Sequence, residues 1–331
     1  MEQKKTYYPE INIARGFALL FVTLGHSFPD AVGALGRIYN ICYSFHMGLF
    51  FILSGFVIAR KFISRDYKIT DEIKNKSIRL LIPYFVFSVI TLIMKVFTEK
   101  YANNPFSLKD SYKILLGINP NGGLWFLWTL FVISVIFILL GKLKHNLIYF
   151  AVFSVAAYII NLFVPKIFIS GILRYAVFYA VGIFIYKYYD AFKKYILNPY
   201  CSSAMLILFC VTHIFRLKTD YTVTCLSASI FILFLSQSIM KFKDKTKIIY
   251  TVFNELGTYS YDIYLLSYFI QVPLRVLFKS IFPIPELLLY FLMFTLGTII
   301  PYLASKFILR KVPIFNLLLF GNKRKAVKSN G

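Results

Sequence analysis

Ile11-Asn-Ile-Ala-Arg15-Gly-Phe-Ala-Leu-Leu-Phe-Val-Thr-Leu-Gly-His26-Ser27 is an apolar run whose only ionisable groups are one arginine and one histidine. Hydrocarbon offers nothing to hydrogen-bond a backbone, so apolar stretches of roughly 20 residues fold as helices rather than as buried strands. By the same criterion, spans fall near 11–29, 39–59, 79–97, 123–141, 147–164, 168–186, 200–216, 221–240, 256–278 and 283–304. Two of them, 147–164 and 200–216, are short for a hydrocarbon core about 30 Å thick. The fold class expected is all-α, a polytopic transmembrane helix bundle of about ten spans.

Composition agrees with that reading. Of 331 residues, 59% are hydrophobic and 15% charged, where a soluble domain carries about 25% charged side chains. A net charge of +23 would suggest nucleic acid in a soluble chain, but here the basic residues sit between the apolar runs. The positive-inside rule accounts for them, and no nucleic-acid partner is expected. Counted on alternate sides, 25 Lys and Arg fall on the side of the N-terminus and 10 on the other, with Arg15 and Arg174 inside spans. Both termini are therefore expected in the cytoplasm, and the protein in the cytoplasmic (inner) cell membrane as a multi-pass chain.

Lys4 and Lys5 precede the first run as in a signal peptide, yet Arg15 interrupts it and no small-residue cleavage site follows, which predicts a retained first span. Cys42, Cys201, Cys210 and Cys225 show no CxxC spacing and no clustering with histidine, so neither a metal site nor a disulfide framework is indicated. With no repeat and no long linker, residues 1–331 read as one membrane domain ending in a basic cytoplasmic tail, 304–331. Within the tail, Lys323-Arg324-Lys325 and Lys328 suit a juxtamembrane anchor for anionic lipid.

Arg15 and His26 are eleven residues apart. Eleven steps of 100° end about 20° past three full turns, so both project from one face, about 16 Å apart along the axis. Ionisable residues inside membranes face a bundle interior or a wet cavity, and a shared polar lumen along this face is the expectation. The second span carries His46 in Phe45-His46-Met-Gly-Leu-Phe-Phe-Ile-Leu-Ser54-Gly55-Phe56. It runs the other way through the membrane, so the two histidines should converge in the outer half. Each histidine alone has a plainer reading, as a hydrogen-bonding partner of a neighbouring helix.

These motifs, with Lys76-Ser-Ile-Arg79-Leu-Leu-Ile-Pro83-Tyr84, resemble the acyltransferase-3 family of integral membrane acyltransferases, including its polysaccharide and fucose O-acetylase-like branch. Fainter echoes are Leu124-Trp125-Phe126-Leu127 and Leu256-Gly257-Thr-Tyr-Ser260-Tyr-Asp262-Ile-Tyr264, and the set keeps the family's order along the chain. The resemblance implies an O-acetyltransferase that takes acetyl-CoA, or another acyl-CoA, on the cytoplasmic side. The acceptor it implies is a hydroxyl of a cell-surface or lipid-linked polysaccharide. It also implies a catalytic role for His26, with Arg15 as its basic partner and His46 beside it.

Removing a proton from an attacking hydroxyl needs a base, and histidine titrates nearest neutrality. An acyl-histidine intermediate is the second chemistry open to His26. Coenzyme A is polyanionic, and 60–79 holds seven basic residues against Asp66, Asp71 and Glu72. Lys76 and Arg79 share a helix face and are the expected phosphate ligands; ordinary positive-inside charge is the other reading of the cluster. Asn12 and Ser267 stand where the family's motifs often have aspartate and histidine, and Asp262 is an intramembrane carboxylate suited to pairing. Trp125 and Trp128 suit either an interfacial aromatic belt or a sugar-stacking platform. Arg174 must find a counter-charge or a wet cavity, whereas His145 and His213 read as structural. The competing function is a glycan transporter or exporter that makes no acyl bond, although the chain lacks the inverted symmetry common in transporters.

Overall fold

The apolar runs become helices in the computed structural model, which describes residues 7–28, 32–97, 108–165, 168–215 and 222–322. The elements are α1 (Pro9–Ser27), α2 (Gly33–Ser64), α3 (Ile69–Lys76), α4 (Ile82–Phe97), α5 (Trp125–Leu140), α6 (Asn146–Phe163) and α7 (Ser170–Lys187). They continue with α8 (Tyr189–Ile196), α9 (Pro199–Ile214), α10 (Thr222–Lys241), α11 (Lys247–Val276), α12 (Glu286–Ala304) and α13 (Pro313–Phe320). A π-helical segment, Ser77–Leu81, joins α3 to α4. No strand occurs among the described residues.

Each of the ten apolar runs lies on a helix. Five stretches, Gly33–Ser64, Ile69–Lys95, Asn146–Phe163, Thr222–Lys241 and Glu286–Leu309, are long and apolar enough to cross a bilayer. The chain is thus an all-α, multi-pass membrane protein. Helices α1, α7 and α11 are not among the five; they carry Arg15 with His26, Arg174, and Asp262 with Gln271. The short helices α3, α8 and α13 lie between or after the expected spans, in segments rich in Lys and Arg. The basic residues at 4 and 5 and from 323 onward lie outside the described residues.

The chain divides into two compact units, one comprising Met1–Arg60 with Phe178–Tyr302 and the other Lys61–Val177 with Leu303–Gly331. In the first, α1 lies along α11 and against α10, and α10 also packs on α8 and α9. The α1–α11 contact is backbone to backbone: a methyl on Gly16 would overlap the Phe253 carbonyl, and one on Gly257 the Asn12 carbonyl. Small residues permit such approaches in lipid, where van der Waals packing replaces the hydrophobic effect between helices. Asn12 adds polar glue, its Nδ2 donating to Asn254 O at 2.8 Å and Thr258 Oγ1 at 3.0 Å.

In the second unit, α13 packs on α4, while α3 and the π-helical segment pack on α5. Lys61 pairs with Glu72, and Asn146 Nδ2 donates to Phe62 O at 2.6 Å and Gly141 O at 3.0 Å. The Tyr67 hydroxyl, bonded to Ile138 O at 2.7 Å, is pushed up to about 12 by burial and by the charge of Glu72.

Candidate functional site

The periodicity that aligns Arg15 with His26 also places Leu19 and Val22 on their stripe, at i+4 and i+7 from the arginine. Arg15 and His26 are half-buried, whereas Leu19 and Val22 are 0% exposed. The continuous polar lumen expected between the two groups is therefore closed in this conformation by packed hydrocarbon. The two ends of α1 form separate polar environments.

At the His26 end, the missing side chain of Gly25 lets α2 come close: a Cβ there would stand 3.0 Å from Tyr43 Cε2 and 3.2 Å from Cys42 Cβ. This approach sets the Tyr43 hydroxyl 2.9 Å from Nδ1 of His26. The Tyr43 ring stands edge-on to both imidazoles, 5.7 Å from His26 and 5.0 Å from His46 between centroids. Tyr39 covers Tyr43 from one turn earlier, at 4.2 Å. The structure thus brings the two histidines to one tyrosine. His46 is 1% exposed, and its Nδ1 is bonded to the Cys42 carbonyl. A carbonyl only accepts, so the proton of neutral His46 is on Nδ1. Tyr43 is 40% exposed and His26 is half-buried.

Behind His26 lies a buried polar seam. Gln271 Nε2, on α11, has acceptors at Thr23 O (3.0 Å), Ser27 Oγ (3.1 Å) and Met293 O (3.3 Å). Thr298 on α12 donates to Thr23 Oγ1 at 3.2 Å. These bonds pin the last turn of α1, and hence the imidazole, to α11 and α12. Sequence reasoning missed both Tyr43 and Gln271. The signal for Tyr43 was present: Tyr39, Tyr43 and His46 follow i, i+4, i+7 and share one face of α2.

At the other end of α1, Asn12 is occupied in the α11 contact. Buried Glu10 accepts from the Tyr189 hydroxyl, to which Gln237 Nε2 donates at 2.7 Å. Burial, and next the Glu10 carboxylate, raise the Tyr189 hydroxyl above the ordinary tyrosine range. Asp262 is fully buried in α11, and Ser267 bonds Tyr264 O of its own helix at 3.2 Å.

The second unit holds the expected phosphate ligands. Lys76 and Arg79 line a cavity of about 370 Å³ with Glu72, Asn75, Ile78, Gly321 and Asn322. Arg79 Nη1 donates to Phe320 O and to Asn322 Oδ1. Trp128, on α5, holds the preceding segment: Nε1 donates to Leu115 O at 3.2 Å, and its ring covers Gly117, whose φ is +84°. Trp125 stands 5.3 Å from Tyr175, and the Arg174 guanidinium lies 5.8 Å from that same ring, a cation–π contact. His145 is exposed at the start of α6, and His213 stacks on Phe209. Among the described residues no group of three His, Cys, Asp or Glu could hold a metal.

The family model Acyl_transf_3, described as an acyltransferase domain, matches residues 8–306. That range contains Arg15, His26, His46, Lys76 and Arg79. Nothing matches among curated proteins or among solved structures. With nine-tenths of its length under that model, the chain belongs to the acyltransferase-3 family of membrane acyltransferases.

Proposed function

We propose that the protein is an O-acetyltransferase that moves an acetyl group from acetyl-CoA to a hydroxyl of a cell-surface or lipid-linked polysaccharide. It does so as a ten-span protein of the cytoplasmic membrane with both termini inside. The observation that carries the reading is the His26–Tyr43 hydrogen bond within a family acyltransferase domain. Catalysis by a neutral imidazole needs a lone pair on the nitrogen that faces substrate. Donation from His26 Nδ1–H to the Tyr43 oxygen gives that arrangement, with the lone pair on Nε2.

The acceptor hydroxyl gives its proton to Nε2 as its oxygen attacks the thioester carbonyl. The attack forms the new C–O bond, and collapse of the tetrahedral intermediate restores the carbonyl and breaks C–S. The leaving thiolate takes the proton back from the imidazolium, which regenerates the neutral histidine. His46 packs against Tyr43 and holds that ring in place. Lys76 and Arg79 take the phosphates of coenzyme A, Arg15 acts as a basic group, and the thioester reaches His26 in a conformation in which Leu19 and Val22 no longer close that face of α1.

The test is incorporation of label from [acetyl-labelled] acetyl-CoA by purified protein. Label in the glycan supports the enzyme; glycan movement across the membrane without label would establish the transporter instead.

A further inference from the structure

Beyond residue 306, where the family match ends, the chain adds α13 and the turn Gly321–Asn322, and this addition closes on Arg79. Helix α13 stops at Gly321, which is left-handed at φ +61° and returns its N–H to Leu317 O at 2.8 Å. Glycine is required there twice over, because a Cβ would also overlap the Ile78 carbonyl and stand 2.6 Å from Arg79 Cα. Asn322 is fixed from both its backbone and its side chain. Its N–H donates to Asn316 O at 3.1 Å, and its Nδ2 to Asn316 Oδ1 at 2.8 Å. That leaves Asn322 Oδ1 to accept from Arg79 Nη1, beside the Phe320 carbonyl at the negative end of α13. Both N–H groups of Nη1 are thereby engaged, and a planar guanidinium held at two points has its plane set.

The same three residues, Arg79, Gly321 and Asn322, form part of the wall of the 370 Å³ cavity that Lys76 also lines. A void of that size is on the scale of ligand pockets, which run from roughly 300 Å³ upward. Its one carboxylate, Glu72, is already paired with Lys61, so the lining is net positive.

We infer that Asn322 is a positioning residue for the donor: it holds the Arg79 guanidinium in the plane that receives a phosphate of coenzyme A, and so makes the C-terminal turn part of the nucleotide site. The inference rests on the reading that acyl-CoA occupies this cavity, and one experiment separates the two. Equilibrium binding of coenzyme A is measured by calorimetry on full-length protein in detergent for wild type, Asn322→Ala, Asn322→Asp and Arg79→Ala. Asn322→Ala should weaken binding about tenfold, the scale of a hydrogen bond to a charged group, with kcat at saturating donor unchanged. Asn322→Asp keeps the acceptor, and the Asn316 amide can turn to donate to it, so binding should return to within about twofold of wild type.

If Asn322→Ala binds coenzyme A normally while Arg79→Ala does not, the donor reading stands and the role of Asn322 is overturned. Equal losses in the Ala and Asp variants, or a lower kcat with unchanged affinity, overturn it too, since either result marks a general structural effect. Normal binding by Arg79→Ala sinks the donor reading and this inference together.

Discussion

The Tyr43 hydroxyl and Nδ1 of His26 are 2.9 Å apart, on two helices brought together at Gly25. This relationship fixes which imidazole nitrogen is left for substrate. Replacing Tyr43 with phenylalanine retains the ring against Tyr39 and His46 and removes only the oxygen. Glycan acetylation by Tyr43→Phe is expected to show a kcat lower by about tenfold, the scale of one lost hydrogen bond, with a melting temperature close to that of wild type, because the bond lies at an exposed position. An unchanged kcat would show that the hydroxyl does not orient the base.

The polar seam behind His26 should matter to stability as well as to rate. Gln271→Leu removes the amide that bridges α1, α11 and α12 and leaves its acceptors without it. Unfolding in a detergent titration should show a loss of about 1 kcal/mol, as for interhelical polar contacts in membranes. Activity lost without any loss of stability would contradict this account.

Gly257→Ala places a methyl on the Asn12 carbonyl, so α1 must move off α11. Overpacking of this kind costs about 1–3 kcal/mol, and a lower thermal midpoint is expected. Gly122→Ala is the control, since nothing lies within 4 Å of a Cβ at that position; its midpoint should match wild type.

Arg79→Lys preserves charge but cannot make both contacts of Nη1 in one plane. Steady-state kinetics should show the KM for acyl-CoA rising by about tenfold, the cost of a charged hydrogen bond, while the KM for the glycan stays constant. A rise in the glycan KM instead would move this arginine out of the donor site.

Much of this architecture is legible in the sequence because membrane helices announce themselves by length and apolarity. Each of the ten apolar runs is on a helix, and two residues singled out by their motifs, His26 and Arg79, are hydrogen-bonded to other elements. What stayed hidden depends on contacts between segments distant in sequence. Gln271 reaches Thr23 across 248 positions and Asn322 is 243 from Arg79, separations that no local periodicity encodes. Leu19 and Val22 show the reverse case, in which a correct helical phase was joined to an incorrect inference. The stripe that aligns Arg15 and His26 is real, but the intervening side chains are apolar and pack shut. Helices α3 and α8 were missed because their short amphipathic stretches lie in charged segments that the span pattern passes over, and α13 because its apolar stretch, Pro313–Phe320, is too short to cross a bilayer.

The central claim is that His26 removes the acceptor proton. Transfer of labelled acetyl from acetyl-CoA to the polysaccharide should be followed with wild-type protein and with His26→Ala, both purified and shown to have the same helical content by circular dichroism. Transfer by the wild type and a loss of at least about a hundredfold in the variant are expected, the lower end of general-base contributions. Transfer by folded His26→Ala at the wild-type rate would contradict that claim.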